Sequence, residues 1–262
     1  MDYNSVHVTT NSTRPSYHRW WGAGITDRGR VRQSNQDAFL VLNDQSIWLV
    51  ADGMGGHAGG DVASRIAVES IASALSKQDL IRAGWHNQNE RERLLYQVIQ
   101  EANGAIRREA HTRPELIGMG TTLVVLAIAE DPQLQATIAH VGDSRAYLVR
   151  GRALIQFTRD HTLVEEAVRE GYLTVEEALA HPYRHVLSRA MGIETEVEPD
   201  ISTSPLQPDD FFLLCTDGLT KMLDDNRILE VLLHSRQSPD LACRALVKEA
   251  NRAGGEDNIT AG

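Results

Sequence analysis

The chain has 262 residues, 42% hydrophobic and 24% charged, the balance of a globular protein with enough apolar side chains for a sizeable core. Its 36 acidic residues against 26 basic ones leave a net charge of −10, which argues against nucleic acid or an anionic lipid surface as main partner, because both need a basic face. Two cysteines, Cys215 and Cys243, stand far apart and in no Cys-x-x-Cys, which excludes a disulfide framework and indicates a reducing compartment.

No run approaches the roughly eighteen apolar residues of a membrane span, and the polar N-terminus has no apolar segment of a secretory signal. A cytoplasmic protein is expected. Residues 1–17 read as a flexible N-terminal segment, and residues 18–26 (HRWWGAGIT) as a first strand. Asp27-Arg28-Gly29-Arg30 is a turn, followed by a polar stretch to Asp37. Residues 38–42 and 46–51 form a hairpin about Asn43-Asp44. Residues 60–76 and 90–111 have helical spacing, the second placing Leu94, Leu95, Val98, Ile99, Ala102 and Ile106 on one face.

A block of strands follows at 121–129, 135–141, 144–150 and 153–157, with spacers short enough for antiparallel hairpins. Residues 159–192 interrupt this rhythm with two short helical pieces, the second opened by a capping box, Thr174 and Glu177. Residues 210–216 return to a strand. Residues 226–234 and 238–252 are helices, the last with Ser238 as N-cap and Pro239 in first position. Helices do not alternate with single strands as parallel βαβ units require, so the class is α+β. The expected architecture is a four-layer αββα sandwich, two antiparallel β-sheets flanked by helix pairs. No repeat or linker divides it, so residues 18–262 are expected to be one domain.

Within this frame one stretch, Trp48 to Gly60, organises the chemistry. An apolar run delivers Asp52 to its end, and five glycines in the next eight residues let the backbone approach something closely. A carboxylate beside bare backbone suits a hard cation, which takes oxygen ligands. The alternative for each such residue is an aspartate that caps a helix or makes a turn. The syntax recurs, however: Asp217-Gly218 also ends an apolar run, Asp143 lies between two strands, and Asp257-Asn258 begins the last apolar step. Four such carboxylates at one end of a sandwich would raise one another's pKa unless cations joined them.

The segments Arg32-Gln33-Ser34-Asn35-Gln36-Asp37, Asp52-Gly53-Met54-Gly55-Gly56-His57, Gly118-Met119-Gly120-Thr121-Thr122, Gly142-Asp143-Ser144-Arg145, Cys215-Thr216-Asp217-Gly218-Leu219 and Gly255-Glu256-Asp257-Asn258 run in order from about residue 20 to 260. As an ordered set they resemble the metal-dependent protein serine/threonine phosphatases of the PPM (2C) type, and DGMGGH is similar to the bacterial branch. The resemblance implies hydrolysis of phosphoserine and phosphothreonine in proteins. The agent is a water activated by two Mn2+ or Mg2+ ions, without a covalent intermediate. It also implies phosphoprotein substrates, a cognate bacterial Ser/Thr kinase to oppose, a monomer, and no nucleic-acid or membrane partner.

Carried over by position, Asp52 matches the bridging carboxylate and Gly53 a carbonyl ligand of the first metal. Asp217 and Asp257 match ligands of the second, and Asp143 a ligand of a third, weaker ion. Asp37 matches the residue that holds metal-bound water, and Arg32 the phosphate-binding arginine, whose planar fork takes two oxygens at once. His57 is a candidate proton donor to the leaving alkoxide, its match depending on where Met54-Gly55-Gly56 is placed as an insertion. His185 falls in the flap segment, about 159–192, as a candidate contact for substrate or for third-metal water, or else a surface histidine. The family pattern runs on from Asp-Asn-Ile-Thr into an apolar strand, whereas this chain reads Thr260-Ala261-Gly262. The closing strand is therefore expected to be absent or to close differently.

Other chemistries fit less well. A cysteine-dependent phosphatase needs an Arg six residues after its Cys, and Lys221 and Glu249 stand there instead. No G-x-x-x-x-G-K-[ST] is present. The alternative from another class is a catalytically silent regulatory binding module of the same fold. Such modules usually lose metal aspartates, and all of the matched ones are here.

Overall fold

The computed structural model describes residues 20–55, 59–76 and 85–262. The proposed flexible segment 1–17 and His57 lie outside them. In chain order the strands are β1 (Ile25–Asp27), β2 (Asp37–Leu42), β3 (Ile47–Met54), β4 (Gly120–Thr121), β5 (Leu123–Asp131), β6 (Gln133–Val141), β7 (Arg145–Arg150), β8 (Ala153–Gln156), β9 (Asp200–Pro205), β10 (Phe211–Cys215) and β11 (Ile259–Ala261). Helices α1 (Gly59–Ser76) and α2 (Gln88–Thr112) follow β3. The pair α3 (Leu163–Arg169) and α4 (Val175–Ala180) follows β8, and α5 (Asp217–Thr220), α6 (Asp225–His234) and α7 (Pro239–Ala253) follow β10.

One sheet runs β2-β3-β5-β6-β9, with β4 paired to β3, and the other β1-β11-β10-β7-β8; every pairing is antiparallel. The alternation of side chains along a strand sorts three cores. Ile47, Leu49 and Ala51 of β3 and Leu123, Val125 and Ala127 of β5 pack with Ala67, Ile71, Leu95, Ile99 and Ile106 of α1 and α2. The opposite faces, Trp48 and Val50 with Val124, Leu126 and Ile128, meet Ala146 and Leu214 of the other sheet. Beyond that sheet, Tyr147, Leu213 and Cys215 pack on Ile228, Leu246 and Ala250 of α6 and α7. Three cores between four layers make the αββα sandwich.

Several boundaries differ from the expectation. Among the described residues of the stretch read as a first strand, pairing begins at Ile25, the start of β1; upstream, the Gly22 amide is taken by Asn43 Oδ1 (2.8 Å), which also accepts from the Trp48 indole. The strand expected over 121–129 breaks at Thr122, because that residue's amide and hydroxyl are both spent on the backbone of Asp52. Helix α2 starts at Gln88 because Asn87 caps it, accepting from the Glu90 amide. Strand β9 was not expected: its sequence DISTSP is polar, as suits an edge strand held by one neighbour, β6. The last strand does form, over three residues between β1 and β10.

Candidate metal centre

Strand pairing brings the first two carboxylates together. Asp52 on β3 lies directly opposite Asp37 on β2. The Asp52 amide donates to Thr122 Oγ1 (2.9 Å), and its carbonyl accepts from the Thr122 amide and the Thr121 hydroxyl, so its backbone is fixed on both sides. The next residue must be glycine, since a Cβ at Gly53 would stand 2.0 Å from the Gly60 carbonyl oxygen. On the other sheet, Asp217 opens α5 rather than ending a strand. A Cβ on Gly218 would stand 1.9 Å from the Asn258 carbonyl oxygen, so the loop carrying Asp257 crosses directly over it. Asn258 ties that loop down: Nδ2 donates to the carbonyls of Arg28 and Ser34, and Oδ1 accepts from the Gln36 amide. Asp143 sits in the turn between β6 and β7, after Gly142 at φ +99°.

These loops enclose a cavity of about 710 Å³ lined by Asp52, Gly53, Asp143, Asp217, Asp257, Arg32 and His185. Asp37 lies behind, buried, with Oδ2 accepting from Thr216 (2.8 Å) and Thr260 (2.6 Å). Burial pushes Asp37 up to about 7 against the pull of those two hydroxyls, helped by the charges of Asp217 and Asp257. Burial also pushes Asp143 up to about 7, with Asp217 and Asp160 adding to it. Asp52 is raised well above the carboxylate range by burial and then by Asp37, Asp217, Asp143 and Asp257.

The donor set fits a hard divalent cation. Its side-chain donors are all oxygens. Moreover, Asp37 Oδ1 and Asp217 Oδ1 are buried and take no hydrogen bond, which is costly for a carboxylate that has no other partner. Two cations of the chain already lean on the cluster. Lys221 Nζ is 2.5 Å from Asp217 Oδ2 and 3.1 Å from Asp257 Oδ2, and Arg32 Nη2 is 2.9 Å from Asp257 Oδ2. Lys221 escaped the sequence reading although it stands four residues after Asp217, a spacing at which helical side chains meet. His185 has its pKa lowered by partial burial, then by Lys221 and Arg184.

A second group was also missed. His140, His161 and Asp200 place three ligand-capable atoms within 4.8 Å of one another, and no local motif announces them because they come from three separate segments.

The raised carboxylates give the metal-free protein a pH signature. Asp37 and Asp143 bind protons in the fold between about pH 4 and 7, where the unfolded chain has released them. Their stabilisation is therefore full below the ordinary carboxylate pKa and is lost as pH rises toward 7. His161, pushed down to about 4 chiefly by burial, acts in the opposite sense. In EDTA, replacing Asp143 by Asn is expected to flatten the fall in Tm with rising pH. Mn2+ should raise the wild-type Tm more at neutral than at acidic pH, because the ligands must be deprotonated. Identical pH profiles of Tm for the two proteins would contradict this.

A model of the family described as protein phosphatase 2C matches residues 26–250. The chain belongs to the PPM (2C-type) protein phosphatases. It is similar to the serine/threonine phosphatase stp of Listeria monocytogenes, 43% identical over 238 residues, covering 90% of this chain and 91% of that one. The Mycobacterium tuberculosis serine/threonine phosphatase PstP/Ppp superposes with a TM-score of 0.80 at 36% identity, covering 91% of this chain and 95% of that one. A crystal structure of the catalytic domain of PstP in complex with two manganese ions superposes with a TM-score of 0.76 at 34% identity, covering 91% and 94%. As a bacterial-type member of this family, the chain is a metal-dependent protein serine/threonine phosphatase.

Proposed function

We propose that the acidic cavity would hold two Mn2+ or Mg2+ ions, on Asp52, the Gly53 carbonyl, Asp217 and Asp257. Asp143 would hold a third, weaker ion. The observation that carries this reading is the convergence of four carboxylates on one cavity with a buried, unpartnered oxygen on Asp217. Ions of this kind supply charge to a phosphoryl oxygen and bring the pKa of water toward neutrality. Arg32, half exposed at the rim, takes the phosphate in its fork by exchanging Asp257 for phosphate oxygens. Asp37, clamped by Thr216 and Thr260, keeps Oδ1 as an acceptor for water beside Asp52. His185 lines the cavity as a contact for substrate or for the water of the third ion, and His57 is the candidate proton donor to the leaving alkoxide.

No covalent intermediate is needed. Cys215 and Cys243 are buried, and burial pushes both thiols up to about 12, so neither is a nucleophile. The substrates are phosphoserine and phosphothreonine proteins made by a cognate Ser/Thr kinase, met by a monomer in the cytoplasm. Among the described residues no helix is long and apolar enough to cross a membrane.

Hydrolysis of a phosphothreonine peptide with Mn2+ and with EDTA tests the reading. Turnover is expected with Mn2+ alone; no turnover in either would favour a silent binding module. Arg32→Ala is expected to raise KM on the order of tenfold, a loss of about 1.4 kcal/mol of phosphate binding, with kcat little changed. An unchanged KM would remove Arg32 from the phosphate site.

A further inference from the structure

The turn that carries Asp143 is held from behind by a buried histidine. His161, 1% exposed, engages Gly142 at both of its polar backbone atoms: its own amide donates to the Gly142 carbonyl (3.0 Å), and the Gly142 amide donates to His161 Nδ1 (3.2 Å). A ring nitrogen that accepts carries no proton, so the proton of the neutral imidazole is on Nε2. That nitrogen lies 3.3 Å from Asp200 Oδ2, a contact at ion-pair distance that falls short of hydrogen-bond geometry and leaves Nε2 without a hydrogen-bond partner. The other Asp200 oxygen accepts from Arg189 (2.8 Å), a flap residue that lines the catalytic cavity. The flap is joined to the same residue a second time, since the Ser188 amide donates to the His161 carbonyl (2.9 Å). His140 stacks on the ring at 4.6 Å and is itself oriented by the Arg159 carbonyl, which accepts from its Nε2 (2.7 Å).

In this tautomer Nε2 of His161 offers an N–H and no lone pair to an ion, and it faces Asp200 at ion-pair distance, so the group is a chain of contacts running from flap to cavity. We propose that His161 is a positioning residue that couples the flap to Asp143. Nδ1 sets the Gly142 turn that aims Asp143 at the cavity, and Nε2–H, through Asp200, ties that turn to Arg189. The inference rests on the reading of Asp143 as a ligand of the weakest ion. Coupling of this kind is reciprocal: filling the Asp143 site steadies the flap, and a steadied flap tightens that site.

Two substitutions separate the two nitrogens. The amide of Gln reaches the place of Nε2 and keeps an N–H facing Asp200, but leaves the Gly142 amide without its acceptor. The oxygen of Asn stands in for Nδ1 and keeps Gly142, but loses Asp200. Calorimetric titration of the whole protein with Mn2+ reads the affinity, and hydrogen exchange of flap amides over 163–187 reads the coupling. His161→Gln is expected to weaken the last Mn2+ binding event roughly tenfold and leave the tighter events alone, in the range of outer-shell effects on metal affinity. His161→Asn is expected to keep that event within about threefold, but Mn2+ filling it no longer slows flap exchange. Asp200→Ala, which leaves the buried ring in place, should behave as His161→Asn does and covers the case in which a histidine variant fails to fold.

Wild-type affinity in His161→Gln, or flap protection retained in both His161→Asn and Asp200→Ala, would overturn the proposal. So would a binding event lost in the His161 and Asp200 variants but kept in Asp143→Ala, since the histidines would then hold an ion themselves. Asp143→Ala should abolish the weakest event; if it does not, the reading of Asp143 fails, whatever His161 does.

Discussion

Asp52→Asn is expected to lower kcat by roughly three orders of magnitude, about 4 kcal/mol of barrier, and at the same time to stabilise the metal-free protein. The two effects have one cause. Asp52 stands directly opposite Asp37 and feels Asp217, Asp143 and Asp257 as well, so its charge is unfavourable until cations join the group. Asparagine keeps the shape and one oxygen but removes the charge that would hold both core ions. Saturation kinetics on a phosphothreonine peptide, Mn2+ calorimetry, and Tm in EDTA near neutral pH check the three parts. A variant with near-wild-type kcat, or one less stable than wild type in EDTA, would mean that Asp52 is structural.

Gly218→Ala tests the backbone beneath the site. The new Cβ would meet the Asn258 carbonyl oxygen at 1.9 Å, and Asn258 cannot yield, because its side chain holds Arg28, Ser34 and Gln36 in place. Overpacking against fixed backbone is expected to cost about 3 kcal/mol, the upper part of the usual range. For a chain of this size that lowers Tm by about 6–12 °C. Because Asp257 precedes Asn258, Mn2+ affinity should fall with it. Gly104→Ala is the contrast: its Cβ would meet only the far end of Arg108 within helix α2, so stability should hold or rise. Equal Tm for wild type and Gly218→Ala would show that the loop is free to move.

The layers were legible in the sequence because each buried strand repeats with period two and each covering helix with its own. Ile47, Leu49 and Ala51 face one core and Trp48 and Val50 another, as alternation requires. The aspartates at the cavity were legible for a local reason: Asp52, Asp143 and Asp217 stand beside glycine, and Asp257 begins the last apolar step. Apart from the four-residue step from Asp217 to Lys221, what escaped has no local signature. Strand β9 is short, polar and at an edge, so neither periodicity nor composition marks it. Lys221 and His161 take their meaning from partners elsewhere in the chain: Asp257 for one, Gly142 and Asp200 for the other. Asp37 was matched by resemblance, but the threonines that clamp it, Thr216 and Thr260, come from the far sheet and are visible only once the two sheets face each other.

Anomalous diffraction from crystals soaked in Mn2+ tests the central claim most directly. Peaks are expected in the cavity within bonding distance of Asp52, Asp217 and Asp257, with a weaker one at Asp143. A cavity without peaks, or manganese found only among His140, His161 and Asp200, would contradict it.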